Sequence, residues 1–285
     1  MTDLSQTSLP PAANPAKRRR HPLPTKVKVG LFILGLYVLL GVFGPMLLSF
    51  DPDKSNVLQR LKPPTSAHWL GTDQLGRDFL IRLLYAIRID LPVAFLAAFF
   101  PMVIGTCLGA IAGFFGRIPD LIVSRSADIV QAFPVYVFLL VLVFALGSGA
   151  TSFIVAATVI AWVGYARLTR GEVLRLRSLE FVAAAQVTGL PKWTILVTHV
   201  MPNALPQTLI YFMSDIVLMV LVLSSLSFLG VGIQPPTAEW GRMIAEGQPF
   251  LRSHWHLSVA PGVMLMVFGI ALSLVADGLD EWIRK

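Results

Sequence analysis

Long stretches without a charged residue constrain this chain more than any other feature. The longest covers residues 132–166, which contain no Asp, Glu, Lys or Arg. As a single helix this stretch would extend for roughly 50 Å at 1.5 Å per residue, well beyond the hydrocarbon core of a bilayer. The turn signal Gly147-Ser148-Gly149 divides it. The stretch therefore predicts two membrane spans joined by a tight connection.

Apolar runs of similar kind recur along the whole chain. A spanning helix needs about 20 predominantly apolar residues. On this criterion the sequence predicts six transmembrane helices, at residues 29–50, 91–115, 128–146, 150–166, 206–230 and 258–276. The chain is 55% hydrophobic and only 14% charged, which is too apolar for an ordinary soluble domain. We therefore expect an all-α membrane protein with lipid as its solvent.

The positive charge of the chain fits membrane topology better than nucleic-acid binding. The net charge is +7, but the Lys and Arg residues lie in short segments between apolar runs, without interleaved aromatic residues. Residues 1–28 are rich in Pro, Ala and basic residues, which is typical of a disordered tail. With this tail inside, the cytoplasmic segments hold 15 of the 23 Lys and Arg residues. The positive-inside rule therefore predicts cytoplasmic N- and C-termini, and no nucleic-acid partner is expected.

Two groups of charged residues allow two interpretations each. Asp215 is the only acid deep within a predicted span, so it either lines a solute pathway or accepts a hydrogen bond from a neighbouring helix. Asp73, Arg77 and Asp78 lie in the predicted external segment before the second span. They either fold as a lid or receive another protein, or they form a self-contained cluster of ion pairs.

No motif for catalysis or nucleotide binding occurs in the sequence. It lacks a G-x-x-x-x-G-K-[ST] phosphate loop, H-E-x-x-H and G-x-S-x-G. His254 and His256 flank Trp255 and are interpreted as polar neighbours of an interfacial Trp, so neither a metal site nor a cofactor is predicted. Gly105 and Gly109, separated by three residues, indicate close helix packing.

The cytoplasmic segment between the fourth and fifth spans predicts two short helices. The first would run from about Leu179 to Thr188. Gly189 suits the left-handed residue that follows a helix, and Pro191 suits the first turn of the next helix. Pro202 is then expected to end the second helix.

This helix pair would expose several apolar side chains. They are Val187, Leu190, Trp193, Ile195 and Leu196. Apolar side chains in the cytosol are unfavourable unless another protein covers them, which indicates a docking partner. An amphipathic segment that lies on the lipid surface is the alternative.

The same segment resembles the cytoplasmic EAA loop of ABC importer permeases. That pattern is Glu-Ala-Ala, three residues, Gly, nine residues, Ile, one residue and Leu-Pro. Ala184 and Ala185 match the two alanines, Gly189 matches the glycine and Pro202 matches the proline, all at the family's spacing.

The segment also departs from the EAA pattern at three positions. Ala183 replaces the glutamate, His199 the isoleucine and Met201 the leucine. Glu180 lies on the same helical face as Ala183 and is a candidate to replace the missing acid. The histidine, together with Asn203 after the proline, resembles the dipeptide, oligopeptide and nickel branch of the family. Residues 68–91 and 226–247 resemble the shorter permease of that branch.

The resemblance implies one subunit of a heteromeric, ATP-driven importer. Its partners would be a second homologous permease, two ABC ATPase subunits, an extracytoplasmic solute-binding protein and membrane lipid. Residues implied in ATPase coupling are Ala184, Ala185, Gly189, Leu190, Pro191, Pro202 and Asn203. Di- or oligopeptides are the preferred solutes, ahead of nickel chelates, opines and glutathione-like compounds. The alternative is a self-contained ion-coupled transporter centred on Asp215.

Overall fold

The structure, a computed structural model, describes residues 22–47 and 51–283 of the chain. The helices of these residues are α1 Thr25–Leu47, α2 Phe79–Phe115, α3 Arg117–Gln131, α4 Val135–Leu146, α5 Ala150–Arg177, α6 Glu180–Val187, α7 Lys192–Ile195, α8 Met201–Phe228, α9 Trp240–Gly247 and α10 His256–Ile283. Short 3₁₀ turns occur at Val57–Gln59 and Gln248–Phe250. Within the described residues, extended pairing is limited to one bridge, between Thr72 and Asp78.

Among residues 22–47 and 51–283, five stretches of helix are long and apolar enough to cross a membrane. They are Thr25–Gly44, Phe79–Phe115, Ala150–Arg177, Lys192–Phe228 and His256–Trp282. The pair α3 and α4 passes the same test together but bends by 86° between its two helices. Counting this pair as one broken span gives six, so the predicted all-α membrane architecture is confirmed.

The bend between α3 and α4 lies where the sequence predicts a continuous third span from residue 128. The helix stops at Gln131, and Pro134 precedes the first residue of α4. Proline disfavours the helical conformation of the residue before it, here Phe133, which explains the break. Ion pairs then hold α3 against α5, with Asp120 bonded to Arg170 at 2.5 Å and Asp128 to Arg167 at 3.3 Å.

Other helices extend beyond the predicted spans. Helix α2 begins at Phe79, whereas the uncharged run begins only at Leu91. Helix α1 begins at Thr25, within the stretch predicted as a disordered tail, and residues 1–21 of that tail lie outside the described residues. Residues 48–50 of the first predicted span also lie outside them.

Small residues bring α2 and α5 into direct backbone contact. A Cβ atom on Gly105 would lie 2.2 Å from the carbonyl oxygen of Trp162, and one on Gly109 would lie 2.3 Å from that of Ala166. Gly113 repeats the contact one turn further along, against Arg170. The close packing predicted from the glycine spacing is therefore confirmed.

Helix α8 connects the two ends of the bundle. The end that carries α6 and α7 is called the α6 end, and the opposite one the α9 end. At the α9 end, Trp240 is fully buried and its ring contacts Tyr37 and Phe268 at 6.1 and 6.5 Å. At the α6 end a second apolar cluster joins the ends of α2 and α5 to Val182 and Ile195. Both connecting segments are thereby fixed to the bundle.

Candidate functional site

The segment at the α6 end folds as two short helices joined by a tight turn. Helix α6 ends at Val187, and Gly189 has a φ of +80°, the left-handed conformation predicted for it. The amide of Gly189 donates to the carbonyl oxygen of Gln186 at 3.0 Å. No atom lies within 4 Å of a Cβ built on Gly189. Glycine is therefore needed here for its backbone conformation rather than for space.

One face of the two short helices packs on the bundle and the other is open. Val182 and Ile195 are fully buried, and Ala185 is 7% exposed. The open face carries apolar side chains that we call the coupling patch: Phe181, Val187, Leu190, Trp193 and Val197. Ile195 and Leu196, predicted to be exposed, are buried instead because they point into the second apolar cluster.

The coupling patch has a fixed position on the bundle. The Trp193 ring lies 4.7 Å from that of Phe115, at the end of α2. Val187 is 89% exposed and is the most accessible member of the patch. Ala184 is exposed beside it, as are Ala183 and Glu180, the two positions considered for the motif acid.

The expectation that Pro202 ends the second helix is wrong. Helical structure runs without a break through Lys192–Phe228. Leu196–Val200 forms a π turn, and the amide of Met201 donates to the carbonyl oxygen of Leu196. The π turn immediately before Pro202 interrupts the regular i→i−4 hydrogen-bond pattern, and the helix thereby continues past a proline that lacks an amide hydrogen. Helix α7 is therefore continuous with the membrane-spanning helix α8.

Asp215 lies on α8 and faces α5. Its side chain is 5% exposed and accepts a hydrogen bond from the Tyr165 hydroxyl at 2.8 Å. The Tyr165 ring packs edge-on against Tyr211, with centroids 4.8 Å apart. Among the described residues, no Lys, Arg or His forms an ion pair with Asp215.

Further polar side chains continue this contact toward the α6 end. The hydroxyls of Thr169 on α5 and Thr208 on α8 lie 3.3 Å apart. Sequence reasoning identified Asp215 but did not identify Tyr165 or the threonine pair. Tyr165 and Thr169 are four residues apart on α5, so helical spacing of polar residues was the available signal.

The charged residues at the α9 end form a self-contained network. Arg77 bonds to Asp73 at 2.6 Å and to Glu246 of α9 at 3.1 Å, while Arg82 lies 3.5 Å from Asp73. Asp78 caps α2 by accepting from the Ile81 amide at 2.9 Å. The ion-pair interpretation of this segment is therefore confirmed.

Electrostatics hold Glu246 in its charged form within this network. Burial acts to raise the pKa of its carboxyl, but the hydrogen bond from Gln74 and the charges of Arg82 and Arg77 outweigh burial. The pKa of Glu246 is therefore lowered below its ordinary value. The network pins α9 to the loop before α2 through a charge-assisted contact.

Sequence comparison places the chain among bacterial transport proteins. Residues 105–285 match the family described as binding-protein-dependent transport system inner membrane component. Residues 27–64 match the N-terminal TM domain of oligopeptide transport permease C. These matches include most of the described helices.

Curated relatives match over most of their length. The oligopeptide transport system permease protein OppC of Bacillus subtilis is 36% identical, over 89% of this chain and 83% of that protein. The nickel transport system permease protein NikC of Escherichia coli is 34% identical, over 90% and 92%. The dipeptide transport system permease protein DppC of Alkalihalophilus pseudofirmus is 34% identical, over 89% and 83%.

A solved structure shares the fold. An inward-facing conformation of the MetNI methionine ABC transporter includes a chain that superposes with a TM-score of 0.57 at 20% identity, over 71% of this chain and 95% of that one. The apolar helices and the relatives together make this chain a multi-pass protein of the bacterial inner membrane. It belongs to the family of binding-protein-dependent inner membrane components, as an ABC importer permease of the dipeptide, oligopeptide and nickel branch.

Proposed function

We propose that this chain forms half of the translocation pathway of an ATP-driven importer for di- or oligopeptides. A second, homologous permease supplies the other half, two ATPase subunits bind at the α6 end, and a solute-binding protein docks at the α9 end. The α6 end and both chain termini then lie in the cytoplasm. Family membership supports the general scheme, and dipeptide and oligopeptide relatives support the solute class.

The coupling patch is the observation that carries this proposal. It exposes apolar side chains on a segment that is otherwise anchored in the bundle, with Val187 89% and Trp193 55% exposed. An apolar surface that is fixed in place and open to solvent is suited to bind another protein. Because α7 continues into α8, a movement of a bound ATPase would be transmitted to the membrane-spanning helix.

Co-purification from membranes tests whether the coupling patch binds ATPase subunits. We compare wild type with Gly189→Pro, which removes the left-handed residue and its amide donor. Gly35→Ala is the matched control, since no atom lies within 4 Å of its added Cβ. We expect wild type and Gly35→Ala to recover the ATPase subunits and Gly189→Pro to lose them while still inserting. A wild-type chain that inserts and recovers no ATPase would refute the proposal.

We propose further that Asp215 contributes to the solute pathway when α5 and α8 separate. Support comes from its depth within α8 and from the hydroxyl of Tyr165, a neutral partner that leaves the charge unpaired. Asp215→Asn keeps the shape of the side chain and removes the charge. Uptake of a cationic dipeptide should fall more than uptake of a neutral one. An equal effect on both would restrict Asp215 to holding the two helices together.

A further inference from the structure

Two buried carboxyl groups meet where α9 begins. Asp90 of α2 and Glu239, the residue before α9, are each fully buried. Glu239 accepts from the amides of Gly241 at 2.9 Å and Arg242 at 2.7 Å, and thereby caps its own helix. Asp90 accepts from the amide of Trp240 at 3.0 Å. Two acids on different segments thus hold one helix N-terminus.

With both carboxyl groups ionised, this site lacks one hydrogen-bond donor. Oδ2 of Asp90 is occupied by the Trp240 amide, while Oδ1 is buried and receives no hydrogen bond from any donor of the described residues. The Glu239 carboxyl is the buried neighbour of Asp90, because Asp90 caps the amide of residue 240 while Glu239 caps the amides of residues 241 and 242. Two carboxylates can share a hydrogen bond only if one of them carries a proton, and two adjacent buried anions repel each other.

No positive charge near the pair removes this requirement. Ser224 and Ser227 of α8 face the Glu239 carboxyl, and Trp240 and Arg242 of α9 contact the pair through their backbone amides. The Trp240 ring packs against Tyr37 of α1 and Phe268 of α10, which carry no charge. The Arg242 guanidinium is directed to Glu246 at 3.2 Å, and the nearby Arg88 donates to the carbonyl oxygens of Gly41 and Val42. Within the described part of the chain, neither Asp90 nor Glu239 takes part in an ion pair with a basic residue.

We propose that Asp90 and Glu239 share one bound proton, and that this carboxyl clasp fastens α9 to α2 and releases it when the proton is lost. The contacts around the clasp suit two discrete states, one in which α9 is attached to α2 and one in which it is released. A Cβ on Gly241 would lie 2.2 Å from the carbonyl oxygen of Ser224, so α9 lies directly on the backbone of α8. The Trp240 indole also donates to the carbonyl oxygen of Leu83 at 3.2 Å.

The proton would make the α9 end sensitive to pH in a defined direction. Burial raises the pKa of the Glu239 carboxyl, although hydrogen bonds from the amides of Arg242 and Gly241 act to lower it. Above the ordinary carboxyl range the closed clasp holds one proton more than the open form. It is therefore favoured at low pH and lost as pH rises, by up to about tenfold in the open population per pH unit.

Hydrogen exchange in the assembled transporter tests the clasp. The readout is exchange at the amides of residues 240–242 between pH 5 and pH 8, corrected for the intrinsic rate. Asp90→Asn retains the acceptor for the Trp240 amide and supplies its own N–H donor to Glu239. We expect opening to increase with pH in wild type and to be independent of pH in Asp90→Asn. Asp51→Asn, at an exposed acid, is the control and should behave as wild type.

Infrared spectroscopy of variants that still elute as folded protein measures the proton directly. Wild type at neutral pH should show a protonated-carboxyl C=O band that is absent from both Asp90→Asn and Glu239→Gln. A band that persists in both variants, or parallel pH profiles of exchange in wild type and Asp90→Asn, would overturn the proposal. Protection that depends on sodium or potassium concentration would instead assign a bound cation and also overturn it.

Discussion

Gly109 shows how a single hydrogen atom in place of a side chain determines helix packing here. Its added Cβ would lie 2.3 Å from the carbonyl oxygen of Ala166, which is backbone and cannot rotate away. We expect Gly109→Ala to separate α2 from α5 and to destabilise the protein by about 1–3 kcal/mol or more. Thermal unfolding in detergent, monitored by size-exclusion chromatography, measures this loss of stability. Gly262→Ala, where the added atom meets open space, should retain the wild-type transition.

Tyr165 stabilises Asp215 through one hydroxyl. Tyr165→Phe keeps the ring and removes the donor, which leaves a buried carboxyl without its partner. Such a loss costs about 1–3 kcal/mol. The matched change Tyr211→Phe keeps the ring contact on Tyr165 and leaves the hydrogen bond to Asp215 in place. We expect thermal unfolding to shift downward for Tyr165→Phe and to move much less for Tyr211→Phe; equal shifts would contradict this assignment.

At the scale of whole elements, the continuous helix formed by α7 and α8 connects the coupling patch with the membrane. Deletion of Leu209, in the regular α-helical part of α8, would remove one residue from the helix and rotate α7 by about 100° relative to the rest of α8. The coupling patch would then face a different direction. We expect the deletion to insert normally but to lose solute-stimulated ATP hydrolysis in the reconstituted transporter.

Leu209→Ala is the control for that deletion. The Leu209 side chain is 45% exposed, so its truncation removes little packing inside the protein. Its replacement retains chain length and helix register, so stimulation should stay close to that of wild type. Full stimulation in the deletion variant would show that the orientation of α7 is not transmitted.

The boundaries of the helices show which parts of the fold could be predicted from the sequence. Uncharged runs located five of the predicted spans as single helices, because lipid tolerates few charges, but the third, predicted at residues 128–146, is divided between α3 and α4. These runs did not predict the first turns of α2, which carry the charged residues Arg82 and Asp90. These side chains bond to partners distant in sequence, Arg82 to Asp53 in the loop before α2 and Asp90 to the Trp240 amide of α9. The glycine at position 189 was predicted from local backbone chemistry alone. The π turn was not predicted, because no local sequence pattern indicates a backbone hydrogen bond to the residue five positions earlier.

The same distinction applies to the candidate site, where features local in sequence were predictable and contacts between distant residues were not. The two short helices α6 and α7 were predicted because their pattern is contiguous in sequence. The contact between Asp215 and Tyr165 joins residues 50 positions apart, and the clasp joins residues 149 positions apart. Such pairings depend on helix packing, and a single sequence does not report it.

Orientation in the membrane is a property of the whole molecule and can be measured with single cysteines. The chain has one cysteine, Cys107, which is free, so Cys107→Ala gives an unreactive background. Leu58 is 92% exposed at the α9 end, and Val187 is 89% exposed at the α6 end. In intact spheroplasts expressing the chain without ATPases, a membrane-impermeant maleimide should label Leu58→Cys. Val187→Cys should react only after the membrane is permeabilised.

The same two cysteines also test the assembly. Because Val187 lies in the coupling patch, co-expression of the ATPase subunits should protect Val187→Cys in permeabilised membranes and leave Leu58→Cys fully reactive. Labelling of both cysteines from outside would contradict the proposed topology. Labelling of Val187→Cys that is unchanged by the ATPases would place their binding surface elsewhere on the chain. The two comparisons therefore separate an error in orientation from an error in the docking surface.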